Sequence, residues 1–400
     1  MFENIKNLFP VFEKNPNLVF LDTAASALKP KEMIDATNNC YSYEYANIHR
    51  GLYSLSSNLT KKFENIRIQV SNFISSHSEE NIIFTKSATE GINLVVDKFS
   101  EKYLSEGDEV IISYLEHHAN IVPWHIAAQK YKFKVVPITL NEVGEINYND
   151  FNNKINSRTK FISLAHMSNV TGSITDFEII KKRIKGLNIP IMIDGCQFIA
   201  HSKLNVLELD CDFYVFSGHK IYGPSGVGVL YMKDKWLEIF NPYQGGGSMI
   251  DNVEIDKTKF AVGFQKFEAG TPPIAQVIGL GASINFVKKI GLKNIFDYEK
   301  SLHDYTYEKL CSDDDFLIYG KSSKKGAIIS FNINGIHAND LAMFLDQKNI
   351  AVRTGHHCCQ PLMKYLNISS TARASFGIYN NKSDADLFVD SLFEAKKFFN

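Results

Sequence analysis

The sequence carries almost no net charge. Its 43 lysines and arginines face 44 aspartates and glutamates, a formal −1 at pH 7 with histidine neutral. No polyanion-binding surface is advertised, which sets nucleic acid aside as the main partner. Long hydrophobic runs are missing as well. No stretch of eighteen or so apolar residues appears, so no membrane-spanning helix is expected. Cysteine is sparse: the six, at 40, 196, 211, 311, 358 and 359, form no CxxC pair and no regular framework. In a chain this long that argues for free thiols in a reducing compartment. The first 20 residues carry Glu3, Glu13 and several asparagines. They lack a signal-peptide core and an Arg-rich presequence. The expected location is the cytoplasm, or the protein is a mature form whose leader is not shown.

What remains is an ordinary globular composition. With 400 residues, 44% hydrophobic and 22% charged, the chain suffices for two or three domains with a sizeable core. From 81 to 233, strand-like and helix-like segments alternate. Apolar runs fall at 82–85, 110–113, 135–138, 161–165, 189–193, 213–216 and 227–231, after an isolated one at 18–21. Such alternation implies crossover connections and a mainly parallel, seven-stranded sheet buried on both faces. Beyond Gly270 the texture changes. Residues 274–287 read as an amphipathic helix, and from about 290 the order is helix, strand (327–333), helix (339–348), strand, strand and a final helix (383–399). The expected architecture is α/β: an N-terminal segment (1–20), a large domain (21–282) and a smaller α+β C-terminal domain (283–400). The cluster Gly245-Gly246-Gly247 begins an expected long loop running to about 264.

Ligands of open α/β sheets sit at the carboxyl ends of the strands. Two short motifs follow such ends: Asp194-Gly195-Cys196-Gln197 and Ser217-Gly218-His219-Lys220. Together they supply an acid, an amide, a hydroxyl, an imidazole and an amine, a set that suits pyridoxal 5′-phosphate (PLP). An amine forms a Schiff base with an aldehyde, and a carboxylate keeps a pyridinium nitrogen protonated. Alone, Asp194 reads equally as a helix cap, and an isolated lysine is a surface charge. The segment Ser87-Ala88-Thr89-Glu90-Gly91-Ile92-Asn93 is either a plain N-cap or, with Thr89, Ser217 and His219, a phosphate cradle. In Glu116-His117-His118-Ala119-Asn120, one flat imidazole is able to stack on a planar ring or relay a proton. Neighbouring histidines point to different faces, so both cannot face one ligand.

Arg353-Thr354-Gly355-His356-His357-Cys358-Cys359-Gln360-Pro361 is the most pointed stretch of the second domain. A loop cysteine beside imidazoles and an arginine is a candidate nucleophile; the alternative is a pair of inert buried cysteines. Four consecutive His and Cys residues do not converge on one zinc ion, whose ligands are spaced apart, so no metal is expected. Arg373 lies in a small, apolar run. It needs an anionic partner, either an ion-pairing side chain or a substrate carboxylate gripped in bidentate fashion.

Taken together these residues resemble the PLP-dependent cysteine desulfurases of the aminotransferase class V group, in the SUF-type (group II) branch. The shared strings include Leu21-Asp22-Thr23-Ala24-Ala25-Ser26, His49-Arg50-Gly51, Ser168-Asn169-Val170 and Phe267-Glu268-Ala269-Gly270-Thr271-Pro272, besides the motifs above, in consistent order over nearly the whole chain. The resemblance implies the fold type I of PLP-dependent transferases. It implies that Lys220 is the Schiff-base lysine, that His117 stacks on the ring, and that Asp194 and Gln197 meet the ring nitrogen and phenolic oxygen. Thr89, Ser217 and His219 would hold the phosphate, and Thr271 would reach the phosphate of a neighbouring subunit in a homodimer. Asn169, Arg353 and Arg373 would bind the substrate, and Cys358 would accept its sulfur. The implied reaction turns L-cysteine into L-alanine and leaves a persulfide for an acceptor protein, in service of iron–sulfur cluster assembly. Selenocysteine lyase and class V aminotransferase are the rival enzymes; a non-catalytic scaffold is the rival of another class. Two positions depart from the family pattern. Cys359 follows the nucleophile directly, as a bystander or as a thiol that interferes by disulfide formation or sulfur uptake. Ala88 stands where a second hydroxyl is often found, leaving the cradle one donor fewer.

Overall fold

The computed structural model describes residue 2 and residues 4–399. Met1 and Glu3 of the expected N-terminal segment, and Asn400 of the expected second domain, lie outside the described residues. Seven short runs rich in β-branched and aromatic residues form one sheet: β1 (Ile82–Thr85), β2 (Glu109–Ser113), β3 (Lys134–Ile138), β4 (Thr159–Ala165), β5 (Ile191–Asp194), β6 (Phe213–Ser217) and β7 (Gly228–Met232). Their order is β1-β7-β6-β5-β4-β2-β3. Only β7 runs antiparallel to its neighbours. The seven apolar runs expected between 81 and 233 all become strands of this sheet, with ends shifted by a residue or two. Side chains alternate between two cores, as a period of two requires. Phe213, Val215 and Leu230 enter one cluster, whereas Tyr214, Phe216 and Val229 enter the other. Burial on both faces is why these runs read as continuous apolar stretches.

The helices that pack on this sheet include α1 (Ser54–Ile74), α2 (Ala88–Tyr103) and α3 (Ile274–Ile290). Helix α3 differs from the amphipathic expectation, being buried on nearly every side. Its glycines explain how. A Cβ at Gly279 would lie 2.4 Å from Thr37 Oγ1, and one at Gly281 2.2 Å from Ile66 Cδ1. Only glycine lets the neighbouring helices approach so closely.

After helix α4 (Leu292–Cys311) comes an antiparallel sheet of β8 (Phe316–Tyr319), β9 (Ile328–Ile333), β10 (Arg353–Gly355) and β11 (Thr371–Ser375), in the order β8-β9-β11-β10. Residues of Ala338–Asp346 and Lys382–Phe399, both helical, pack into the same core. Strand β8 was not expected; it is a four-residue edge directly after three aspartates. Val19–Phe20 pairs in parallel with Ile350–Ala351, and Val19 and Leu21 bury their side chains in this second core. The expected long loop at 245–264 is corrected. It contains a hairpin of Ile250–Val253 against Thr258–Phe260, whose mostly exposed side chains lack the apolar alternation that signals a strand. Among the described residues no helix is long and apolar enough to cross a membrane.

Candidate active site

The carboxyl ends of β4, β5 and β6 open into a cavity of about 260 Å³. Strand β5 ends on Asp194, whose Oδ1 accepts a hydrogen bond from the Cys196 N–H at 3.0 Å. Gly195 is required here, because a Cβ would lie 2.1 Å from the Tyr214 ring. That ring is fixed from behind, its hydroxyl 3.0 Å from His166 Nδ1. Strand β6 ends on Ser217, and the following turn carries His219 and Lys220 into the cavity. Lys220 Nζ donates to the Ala24 carbonyl, and Gln197 Nε2 donates to the same oxygen at 2.7 Å. Burial lowers the pKa of Lys220 to about 8. The same cause lowers His219 to about 4, with the charges of Lys220 and Lys29 adding to it. His219 is thus a neutral imidazole near pH 7.

The N-terminus of α2 faces this turn. Ser87 caps the helix by accepting the Glu90 N–H at 3.3 Å, and Ser217 Oγ accepts the Ala88 N–H at 2.9 Å. Gly228 of β7 lets the helix start this close, since a Cβ there would fall 2.4 Å from the Ser87 carbonyl carbon. Thr89 lies on the cavity wall in the first helical turn. So does Ala88, which offers no hydroxyl. The two neighbouring histidines separate, as side-by-side residues must. His117 faces the cavity, with Nδ1 accepting the Ala119 N–H at 3.1 Å, which leaves its proton on Nε2. Burial lowers its pKa. His118 turns outward, its Nε2 3.0 Å from the Gln360 N–H.

The second sheet closes the cavity. Arg353 of β10 and Arg373 of β11 sit opposite each other in register, and both line it. Arg373 is buried. Nη1 donates to the Asn169 carbonyl at 2.8 Å and Nη2 to Asp22 at 2.9 Å, while Nε has no partner. Arg373 therefore has an ion-pair partner in Asp22 and, at the same time, borders the open volume. Asn169 lines the cavity too, its Nδ2 donating to the His357 carbonyl at 2.8 Å. Cys358 shares the cavity with Lys220. Its neighbours in sequence diverge: His356 is exposed, His357 is buried with Nε2 2.8 Å from Thr371 Oγ1, and Cys359 is fully buried. Among the described residues no cluster of His, Cys, Asp or Glu is placed to hold a metal ion.

Of the sequence-predicted site residues, only Thr271 lies away from this cavity, in an exposed segment. Its neighbours Gly270 and Pro272 line a separate groove with His49 and Arg50. Ala24, Met167, Cys196 and His357 also line the cavity, though no residue-type signal assigns them to the site. The string Leu21–Ser26 was a signal for the first of these, without a role attached.

The donor set fits PLP. Lys220 offers the amine, Asp194 the carboxylate and Gln197 an amide. Ser217, Thr89, His219 and the helix N-terminus offer an anion site. Lys220, Arg353 and Arg373 against Asp194 and Asp22 leave the wall electropositive, as a phosphate and a carboxylate together require.

The aminotransferase class-V family model matches residues 19–388. A cysteine desulfurase of Wigglesworthia glossinidia brevipalpis is 42% identical over 401 residues, covering 99% of this chain and 98% of the relative. One from Serratia proteamaculans is 42% identical over 399 residues, with the same coverage. The crystal structure of the cysteine desulfurase CsdA from Escherichia coli superposes with a TM-score of 0.94 at 34% identity, covering 100% of this chain and 99% of that one.

Proposed function

The chain belongs to the aminotransferase class-V family, where it is a PLP-dependent cysteine desulfurase, and from that premise we propose how its residues divide the work. The observation that carries the proposal is the placement of Lys220 and Cys358 on the wall of one cavity. A plain aminotransferase has no use for a thiol there, so this placement favours desulfuration over that rival.

When bound, PLP supplies an aldehyde that condenses with amines and a pyridinium that takes up electron pairs from the substrate carbons. Asp194 would keep the ring nitrogen protonated and Gln197 would meet the phenolic oxygen. His117 would stack on the ring. Thr89, Ser217, His219 and the first turn of α2 would hold the phosphate. Arg373, Arg353 and Asn169 hold the carboxylate of L-cysteine. Lys220 takes the proton from the substrate Cα; a pKa near 8 leaves a useful fraction of free base at neutral pH. The Cys358 sulfur attacks the substrate sulfur and gives up its proton. The Cβ–S bond breaks as the S–S bond forms, and Cβ gains a proton. L-Cysteine and the Cys358 thiol thus become L-alanine and a Cys358 persulfide, with no external oxidant or reductant.

An acceptor protein takes the sulfur from Cys358, and the pathway is SUF-type iron–sulfur assembly in the cytoplasm. The molecule is a homodimer whose Thr271 completes the partner's phosphate site. The chain divides into a large domain to about 282 and a small one beyond, with L-selenocysteine as an alternative substrate.

The test is to incubate purified holoenzyme with L-cysteine and a reductant, and to measure alanine and sulfide together. Equal amounts are expected, with both lost in Lys220→Ala and in Cys358→Ala. Alanine formation that persists in Cys358→Ala would dismiss the assignment of the nucleophile.

A further inference from the structure

Cys359 departs from the family pattern and has no part in the proposed reaction. Its surroundings are specific. The side chain is fully buried, with Sγ 3.1 Å from Asn169 Oδ1 and 3.3 Å from the Glu116 carbonyl. Burial raises its pKa far above the ordinary thiol range, so the S–H stays protonated and donates. Adjacent side chains point apart: Cys358 faces the cavity while Cys359 faces the interior. A disulfide between them would require the Cys359 side chain to leave its packed position.

Both acceptors of this thiol belong to segments that build the site. Glu116 directly precedes His117. Asn169 lines the cavity and, through Nδ2, donates to the carbonyl of His357 at 2.8 Å. The amide of Asn169 is therefore held at both ends by the nucleophile segment, from Oδ1 by Cys359 and from Nδ2 by His357. Two further hydrogen bonds close the seam between the strands' ends and this segment. The His118 N–H donates to the Cys358 carbonyl at 2.7 Å, and the Gln360 N–H donates to His118 Nε2 at 3.0 Å.

We propose that Cys359 is a positioning residue, a buried thiol that orients the Asn169 amide toward the substrate carboxylate while anchoring the turn that presents Cys358. The proposal rests on the reading of Asn169 as a substrate-binding residue and Cys358 as the sulfur acceptor. Cys359 is then neither a bystander nor a second sulfur acceptor.

The experiment compares holoenzyme of wild type, Cys359→Ala, Cys359→Ser and Asn169→Ala. It reads KM and kcat for alanine formation from L-cysteine, and maps persulfide and iodoacetamide adducts by mass spectrometry. Cofactor-free protein is alkylated in parallel. Of the two adjacent cysteines, wild type should carry persulfide and alkyl label on Cys358 and none on Cys359; the exposed Cys311 takes up alkyl label independently of the site. Cys359→Ala should raise KM about fivefold, as the loss of one hydrogen bond to a binding group does, with kcat changed less. Cys359→Ser, which restores a donor, should return KM to within about twofold of wild type. Label or persulfide on Cys359 in the folded protein would overturn the proposal. So would a KM in Cys359→Ala equal to wild type while Asn169→Ala raises it, or a serine variant no better than alanine. An unchanged KM in Asn169→Ala would instead remove the underlying reading of the amide, and the proposal with it.

Discussion

Glu116 is a carboxyl group with no access to water, one residue before His117. Ser113 Oγ donates to it at 2.5 Å and Asn120 Nδ2 at 2.7 Å. Burial pushes its pKa from 4.5 up to about 7, against those two hydrogen bonds; the nearby Asp194 charge pushes the same way as burial. The sign of the consequence is fixed. Between pH 4.5 and about 7 the folded protein keeps a proton that the unfolded chain has released, so stability falls as pH rises through that window. The raised pKa corresponds to roughly 3 kcal/mol lost at pH 8 relative to low pH, at about 1.4 kcal/mol per unit. Glu116→Gln removes the titration and keeps the shape. The glutamine oxygen accepts from Asn120, and its NH₂ donates to Ser113 Oγ. Urea unfolding of the two proteins at about pH 5 and about pH 8 reads the effect as a difference of midpoints multiplied by m. The stability of the variant relative to wild type should grow by roughly 2–3 kcal/mol between the two conditions. Parallel pH profiles would refute the reasoning, because they would mean the carboxyl ionises as easily inside the protein as outside.

Two further outcomes are expected. Arg67 is buried, with Nη1 and Nη2 on Glu268 at 2.7 and 3.0 Å, Nε on Glu64 at 2.8 Å and its guanidinium 4.1 Å from the Phe264 ring centroid. Arg67→Met strands the Glu268 carboxylate and should cost about 3–5 kcal/mol in urea unfolding; adding Glu268→Gln should recover part of that, and a single-variant cost below about 1 kcal/mol would show the pair to be dispensable. In cofactor-free protein, trapping of Lys220 by a small aldehyde and borohydride, mapped by mass spectrometry, should rise with a midpoint near pH 8, and a midpoint near 10.5 would mean that burial does not tune this amine.

The parts of the fold legible in the sequence were those with a strong local signature. Strands buried on both faces announce themselves as apolar runs, and Asp194 and Lys220 stand directly after two of them. The less legible parts depend on neighbours. Helix α3 reads as amphipathic until Gly279 and Gly281 are seen against Thr37 and Ile66. Strand β8 takes its identity from pairing with β9 along a short edge. The hairpin at 250–260 has almost no buried side chain to betray it. In the cavity, the oxygen that receives both Lys220 and Gln197 is the backbone carbonyl of Ala24, and a carbonyl leaves no trace in residue type. Residue type alone allows Arg373 either an ion-pair partner or a substrate carboxylate; the structure gives it Asp22 while keeping it on the cavity wall.

The nucleophile turn shows why sequence spacing alone was insufficient. His357 and Cys358 both adopt left-handed backbone, with φ of 51° and 56°. Two such residues in succession cost on the order of 1–2 kcal/mol each when neither is glycine. Something must hold them, and the hydrogen bonds from His118, Asn169 and Cys359 do so. The strain is thus local and its compensation is distant, contributed by segments that the sequence separates by nearly the whole sheet. A turn held this way presents its thiol at the cavity wall. Under the proposed reaction the sulfur acceptor has to bring its own nucleophile to Cys358. Slackening the turn at Cys359 should therefore disturb the first half of the reaction, capture of sulfur from L-cysteine, before it disturbs delivery.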